Sequence, residues 1–286
     1  MAEPGAAAAV RPWGWAKPGA GSPILAPAAG SGASPPRSQV NWGVREILIG
    51  LGLAIPAVLA ASFIPVVVVL ILHQLGVVHA VTGKAANGIL PYFNFATTVL
   101  FYGLLLLVVL FLASRREGHP WPRLGLHRAP PWLVLLMPPA ALGLQILTGL
   151  ISVVLSPLLG GMKNPQACTI SQGFGADPYL GVISIALIAP VVEEIIFRGF
   201  IYGGLRRRLG VPVALVLSSA VFALAHSFSV GSSILLLGPS LFIAGLALAL
   251  VYERSRSLMP GMVLHASFNL IAVLAIFAVS HGAQHC

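Results

Sequence analysis

The chain has 286 residues, of which 57% are hydrophobic and only 8% are charged, and its mean hydropathy is +0.94. Soluble domains carry about 25% charged residues, so the composition excludes a soluble protein and indicates an integral membrane protein. The formal net charge is +9, but the basic residues lie in short clusters between apolar runs. This pattern excludes a continuous nucleic-acid-binding face and favours a role in membrane orientation.

The first 43 residues are rich in Ala, Gly and Pro and contain no apolar stretch long enough for the core of a signal peptide. Such a composition is typical of disorder. We therefore predict a disordered N-terminal tail over residues 1–43 and a transmembrane domain over residues 44–286. The same bias suits a GC-rich bacterial genome, so the expected location is a bacterial cell membrane that the chain crosses several times.

Seven apolar segments are candidates for membrane helices, which need about 20 apolar residues each. The fifth segment is short. The predicted fold class is an all-α polytopic transmembrane helix bundle of about seven spans. The predicted spans are residues 47–72, 89–113, 132–155, 179–205, 211–226, 234–252 and 258–280.

The basic residues predict the orientation of the bundle. If seven spans alternate in direction, thirteen of the sixteen Lys and Arg residues fall on the side of the N-terminal tail. The opposite side holds only Lys84 and Lys163, and Arg198 lies within a span. By the positive-inside rule this distribution predicts a cytoplasmic N-terminus. Two cysteines, Cys168 and Cys286, are too few for a disulfide framework, so we expect free thiols. Because both fall on the predicted outer side, a disulfide between them is the alternative.

The segment "APVVEEIIFRGF" places Glu193 and Glu194 deep in the fourth span. A charged side chain at the bilayer centre costs at least about 2.5 to 3.5 kcal/mol, so such a pair is functional by default and should face the bundle interior. Glu194 and Arg198 are spaced i, i+4, which predicts an ion pair on one helix face. Glu193 points about 100° away and remains free for chemistry. Pro190, one turn earlier, predicts a kink that opens room beside the carboxylates.

Two later spans also carry polar residues in apolar surroundings. "VFALAHS" contains Phe222 and His226, and "VLHASFNL" contains His265 and Asn269 one helical turn apart. Counted at about 1.5 Å per residue from the cytoplasmic boundary, Glu193 lies roughly 20 Å deep, His226 roughly 22 Å, Asn269 roughly 17 Å and His265 roughly 10 Å. These depths allow one shared cavity.

A glutamate and two histidines in one cavity allow two kinds of chemistry. Glu193, His226 and His265 could bind a metal such as zinc, or they could act on a water molecule directly. In either case the carboxylate takes a proton from water while a histidine and an asparagine amide donate to the developing oxyanion. Both routes predict amide hydrolysis.

Three motifs in the last four spans carry a family resemblance: EExxxR as "EEIIFR", FxxxH as "FALAH" and HxxxN as "HASFN". In this order they resemble the CAAX protease and bacteriocin-processing (CPBP, or Abi) family of intramembrane endopeptidases, which includes the type II CAAX prenyl endopeptidases. The resemblance covers about residues 179–280, the predicted catalytic core. The first three spans and the tail match the family only in being apolar or disordered.

The resemblance implies a membrane protease in which Glu193 works with His226 to activate water. It further implies that His265 and Asn269 stabilise the oxyanion, and that the second glutamate and the arginine of the first motif hold the site in shape. The catalytic residues predicted in this way are Glu193, Glu194, Arg198, His226, His265 and Asn269.

The resemblance leaves the cofactor and the substrate open. The family has been described as metal-dependent, and a glutamate mechanism without metal has also been argued. We expect no tightly held zinc. The implied partners are the lipid bilayer and a peptide or protein substrate, which in CAAX proteins is lipidated. Prenylated substrates would be unexpected in a bacterium.

Two functions from other classes are compatible with the same residues. Glu193, His226 and His265 could form the relay of a proton-coupled transporter, although no internal repeat is evident. A non-catalytic immunity or adaptor protein could keep the same fold and act by binding a partner. Loss of cleavage in a Glu193→Ala variant would distinguish the protease from both.

Overall fold

The computed structural model describes residues 40, 42–78, 88–115, 119–227 and 231–280, and the regular elements there are all helices. The predicted all-α fold is therefore confirmed. Residues 1–39 and 41 of the predicted tail lie outside the described residues. The helices are α1 (Val44–Gln74), α2 (Leu90–Ser114), α3 (Pro120–Leu124), α4 (Pro131–Leu135), α5 (Met137–Leu158), α6 (Gln166–Phe174), α7 (Pro178–Leu209), α8 (Val211–Ala225), α9 (Ile234–Ser255) and α10 (Leu258–Ser280).

Six stretches of the described chain are long and apolar enough to cross a membrane: α1, α2, α4 with α5, α7, α9 and α10. The protein is thus an integral, multi-pass membrane protein. The remaining apolar helix, α8, has 15 residues and is about 22 Å long, which is less than the roughly 30 Å of a hydrocarbon core. The seven predicted segments correspond to six spans and this shorter helix.

On the side of the bundle predicted to be cytoplasmic, Glu253 near the end of α9 is the centre of a hydrogen-bonded cluster. Its carboxylate accepts hydrogen bonds from Tyr202 at 2.7 Å, from Arg206 at 2.6 and 2.9 Å and from Arg256 at 2.8 Å. Tyr202 and Arg206 belong to α7, so this cluster joins α7 to α9. One of the basic residues that predict the orientation, Arg206, therefore also links two helices of the bundle.

The residues just before α1 pack against α7. Trp42 is 2% exposed, its ring stacks on Phe200, and its indole N–H donates to the Phe200 carbonyl at 2.8 Å. Gly204 allows this contact, because a Cβ there would lie 3.0 Å from the Trp42 ring. The glycines of the segment "GFIYGG" thus allow close packing between helices.

Helix α7 is wound more widely on both sides of the two glutamates. Residues Ile183–Ile188 and Ile195–Tyr202 are π-helical, and Ala189–Glu194 between them is α-helical. A π-helix bonds each N–H to the carbonyl five residues earlier, and such segments occur frequently at functional sites. Near Pro190, where the sequence predicts a kink, the π-helical segment Ile183–Ile188 has one extra residue in each hydrogen-bonded turn.

Helix α6 lies on the predicted outer side and contacts α2, where the Asn94 amide donates to the Gly173 carbonyl at 3.0 Å. Its residue Cys168 is disulfide-bonded. The expectation of a free thiol is therefore wrong for Cys168. A disulfide agrees with the prediction that this side faces away from the reducing cytoplasm. Cys286 lies outside the described residues.

Candidate active site

Both glutamates of the first motif lie inside the bundle. Glu193 is 7% exposed and Glu194 is completely buried. Buried carboxylates need partners that offset the loss of hydration. The partners come from three neighbouring helices, α2, α8 and α10, and from α7 itself.

Glu194 is neutralised within its own helix. Arg198, one turn later and 2% exposed, forms an ion pair with it at 2.9 Å between Nη1 and Oε1. The i, i+4 ion pair predicted from the spacing is confirmed. The guanidinium also donates to the Gly245 carbonyl of α9 at 3.2 Å and lies 4.5 Å from the centroid of the Phe222 ring. The arginine therefore joins α7 to α8 and α9 around a single buried charge pair.

His265 of α10 connects the two glutamates. Its Nδ1 lies 3.0 Å from Glu194 Oε1, and its Nε2 lies 3.8 Å from Glu193 Oε2. Because the Glu194 carboxylate is paired with Arg198, it accepts the hydrogen bond, and Nδ1 carries the proton. In the neutral ring the Nε2 lone pair then points toward Glu193.

His226, at the end of α8, has a similar arrangement. Its Nδ1 lies 2.8 Å from the carbonyl of Phe222, the residue four positions earlier in the FxxxH motif. Since a carbonyl only accepts, Nδ1 donates. Nε2 lies 4.0 Å from Glu193 Oε2. The two histidines lie on different helices, and each directs its Nε2 atom toward Glu193 Oε2.

The two oxygens of Glu193 have different surroundings. Oε1 accepts a short hydrogen bond from the Tyr102 hydroxyl of α2. Oε2 is buried, and no described residue hydrogen-bonds to it. The separations of 3.8 and 4.0 Å from the imidazoles are too long for direct hydrogen bonds. They suit a water molecule that lies between the carboxylate and the imidazoles and donates one hydrogen bond to Oε2 and one to an Nε2 atom.

Asn269 has a different contact from the one that its predicted role requires. Its amide nitrogen donates to the Ile185 carbonyl of α7 at 2.8 Å. Pro190 has no N–H, and in a π-helix the N–H of residue 190 would bond to the carbonyl of residue 185. Asn269 supplies the missing donor from α10, as neighbouring helices do for prolines in membrane spans. One amide hydrogen remains for other partners.

Two glycines and a tyrosine near the site were not identified from the sequence. A Cβ at Gly261 would lie 2.9 Å from Glu194 Oε2, and a Cβ at Gly245 would lie 3.1 Å from Ser219. Small residues in membrane helices signal close packing but do not reveal their partners. Tyr102 gave no signal, because tyrosine is also common in membrane proteins without a catalytic role.

A zinc ion is the cofactor that the family resemblance leaves open, with Glu193, His226 and His265 as its candidate ligands. With zinc–ligand distances near 2.0 to 2.1 Å, neighbouring donor atoms of a tetrahedral site lie about 3.4 Å apart. The separations here are 3.8 and 4.0 Å. Within the described part of the chain, no three His, Cys, Asp or Glu side chains are grouped to hold a metal ion. The donor spacing therefore does not fit a preformed zinc site.

Fold and site together define a class of protein: a polytopic helical membrane protein with a glutamate and two histidines grouped in its interior. The family comparison is more specific. Residues 175–271 match the model of the Rce1-like family, described as type II CAAX prenyl endopeptidase Rce1-like. This match covers all three motifs and confirms the resemblance to the CAAX protease family.

Two curated relatives are similar to the chain over shorter stretches. UPF0177 protein YxdF of Lactococcus lactis subsp. lactis (strain IL1403) is 33% identical over 122 residues, which cover 40% of this chain and 64% of that protein. An uncharacterized 24.3 kDa protein of Escherichia coli is 28% identical over 181 residues, which cover 62% of this chain and 77% of that protein. The chain thus spans less than two thirds of the length of YxdF. No solved structure matches.

Proposed function

We propose that the protein is an intramembrane endopeptidase that hydrolyses peptide bonds of membrane-associated peptides or proteins. The Rce1-like match indicates a CAAX-type protease. The observation that carries the proposal is the buried Glu193 Oε2 atom, within 4.0 Å of Nε2 of both histidines. A base inside a membrane protein needs a water molecule that it can deprotonate, and this arrangement provides a place for one.

In the proposed first step, a water molecule between Glu193 Oε2 and the imidazoles attacks the carbonyl carbon of the substrate. Its proton passes to Oε2, and the carbonyl oxygen becomes an oxyanion. His226, with Nδ1–H held by a backbone carbonyl, accepts a hydrogen bond from the water through Nε2 and orients it. General-base assistance of this kind contributes about 10²- to 10⁴-fold to a rate.

The oxyanion would be stabilised by His265 and Asn269. In this proposal His265 carries a proton on both ring nitrogens, and its Nδ1–H donates to Glu194 Oε1. Its Nε2–H and the second amide hydrogen of Asn269 donate to the oxyanion. When the intermediate collapses, the C–N bond breaks and the proton on Glu193 passes to the leaving nitrogen. This restores the ionised carboxylate for the next turnover.

Glu194 and Arg198 do not contact the reacting atoms in this proposal. They hold His265 at a fixed position and connect the helices that carry the other groups. The substrate is a peptide or protein at the membrane, with or without a lipid anchor, and the bilayer is the second partner.

Cleavage by the purified protein tests the proposed function. The full chain in lipid nanodiscs is incubated with a panel of membrane-anchored peptides, lipidated and not lipidated, and new termini are identified by mass spectrometry. We expect defined cleavage by the wild type and a loss of about 10²-fold in His226→Ala, because the water loses an orienting acceptor. His127→Ala, an exposed loop histidine, serves as control and should keep its rate. No cleavage of any peptide, or cleavage by His226→Ala at the wild-type rate, would reject the proposal.

Cleavage should also persist after removal of divalent metals, because the donor spacing around Glu193 does not fit zinc. The measurement compares rates before and after prolonged dialysis against a chelator, with the metal content determined by mass spectrometry. A rate that falls in proportion to the zinc lost, and returns when zinc is added, would contradict this part of the proposal.

A further inference from the structure

Tyr102 contacts the proposed base from a part of the bundle that the family match does not include. It lies on α2, and the matched residues begin at position 175. Its hydroxyl donates to Glu193 Oε1. Three described side chains contact the Glu193 carboxylate oxygens within 4.0 Å: Tyr102, His226 and His265. Of these, only Tyr102 lies outside the matched segment. Its function therefore has to be inferred from its position.

The position of Tyr102 is well fixed. Its ring packs edge-on against Phe101 at 5.0 Å between centroids, and α2 is joined to α6 by the hydrogen bond from Asn94 to Gly173. On the other side of the contact, Glu193 lies in the α-helical turn between the two π-helical segments of α7. Both partners are thus held by backbone structure, and the hydrogen bond joins two separately positioned elements.

The contact determines which way the carboxylate of Glu193 points. The last torsion of a glutamate side chain is broad and has roughly twofold symmetry, so a free carboxylate would sample many orientations. A donor on Oε1 removes this freedom and leaves Oε2 directed at Nε2 of His226 and His265. Pre-orienting a reacting group in this way lowers the cost of reaching the reactive geometry.

The contact also determines which oxygen receives the proton. Oε1 already accepts a hydrogen bond, so a proton taken from water binds at Oε2, on the side of the histidines. There it remains next to the position of the substrate nitrogen and can be returned when the C–N bond breaks. Phenols titrate near pH 10, so Tyr102 stays a neutral donor throughout.

We infer that Tyr102 is a positioning residue of the active site, which orients the Glu193 carboxylate toward the two histidines. This inference rests on the proposed protease function. It extends the site from the three motif-bearing helices to α2, in the half of the chain where the motifs give no information. Tyr102 acts through Glu193 and does not contact the substrate.

The variant that tests this inference is Tyr102→Phe, which removes the hydroxyl and keeps the ring. We expect kcat for peptide cleavage to fall about tenfold to a hundredfold, as for the loss of a hydrogen bond to a charged group, while KM and the thermal unfolding temperature stay at wild-type values. The matched control is Tyr92→Phe on the same helix, whose hydroxyl lies 3.4 Å from Asp177 at the exposed outer end. It should keep both kcat and KM.

The outcomes separate this inference from the proposed function. If the wild type cleaves and Tyr102→Phe has the same kcat, Tyr102 is not a positioning residue although the protease proposal stands. If kcat and the unfolding temperature fall together in Tyr102→Phe, the tyrosine only supports the fold, and the inference is likewise wrong. If the wild type itself cleaves none of the peptides, the proposed function fails first. A lower kcat at unchanged KM and unchanged stability supports the inference.

Discussion

Replacing Glu193 by glutamine should lower the rate of peptide hydrolysis by about 10²- to 10⁴-fold, the usual contribution of a general base. Glutamine has nearly the same shape, and its amide oxygen can still accept the Tyr102 hydrogen bond. It cannot take up the proton of an attacking water, because an amide is not basic at neutral pH. The expected loss is therefore chemical, and the fold should remain intact.

The measurement is the initial rate of cleavage in nanodiscs, together with the thermal unfolding temperature of each variant. Asp177→Asn serves as the matched control, because it makes the same kind of chemical change at a partly exposed residue just before α7 begins. We expect this variant to cleave at the wild-type rate. Turnover by Glu193→Gln within about threefold of the wild type would show that Glu193 is not the base.

Replacing Arg198 by methionine should destabilise the protein by about 3 to 5 kcal/mol, the cost of leaving a buried charge without its partner. Glu194 is completely buried, and in this variant only His265 would remain close to its Oε1 atom. The hydrogen bond to the Gly245 carbonyl and the contact with the Phe222 ring would also be lost.

Unfolding of detergent-solubilised variants by heat or by added denaturing detergent measures this effect. Arg256→Met is the matched control: this arginine also pairs with a glutamate, Glu253, but its side chain is 52% exposed. Such surface pairs contribute about 0 to 1 kcal/mol. The double variant Arg198→Met with Glu194→Gln should recover part of the lost stability, because it removes the uncompensated charge. A single variant as stable as the control would contradict the assigned role of Arg198.

The sequence contained enough information for the fold class and for the pairs within one helix. Apolar runs of about 20 residues identify membrane helices, and basic residues in the connecting loops predict their orientation. Likewise, predicting the ion pair between Glu194 and Arg198 from their i, i+4 spacing requires only helical geometry. These predictions use local rules, which hold whatever packs against the helix.

Contacts between helices were harder to predict. The depth estimate separated Glu193 from His265 by about 10 Å, whereas their side chains lie 3.8 Å apart. Counting residues assumes straight helices that begin at one plane, but α7 contains two π-helical segments and α10 begins beside α3, with the Leu258 N–H bonded to the Gly125 carbonyl. The position of Tyr102 depends on how α2 packs, which no local rule determines.

The HxxxN motif also did not predict the structural hydrogen bond of Asn269. The spacing of HxxxN predicts that both polar residues lie on one helix face. The family resemblance implies that the asparagine stabilises the oxyanion. In the structure its amide also completes the backbone of α7 at the position that Pro190 leaves without a donor. The Asn269 side chain thus makes a structural hydrogen bond in addition to its proposed hydrogen bond to the oxyanion. The structural bond depends on how α10 packs against α7, so the sequence alone could not predict it.

The length of α8 has a consequence for how water reaches the site. A helix about 22 Å long is several ångströms shorter than the hydrocarbon layer beside it, and hydrophobic mismatch of this sign thins the adjacent bilayer. We therefore expect the lipid barrier to be thinner beside His226, which lies at the end of this helix. Thinning there would shorten the path from the aqueous phase on the predicted outer side to Glu193, so the short helix would help to hydrate the proposed reaction centre.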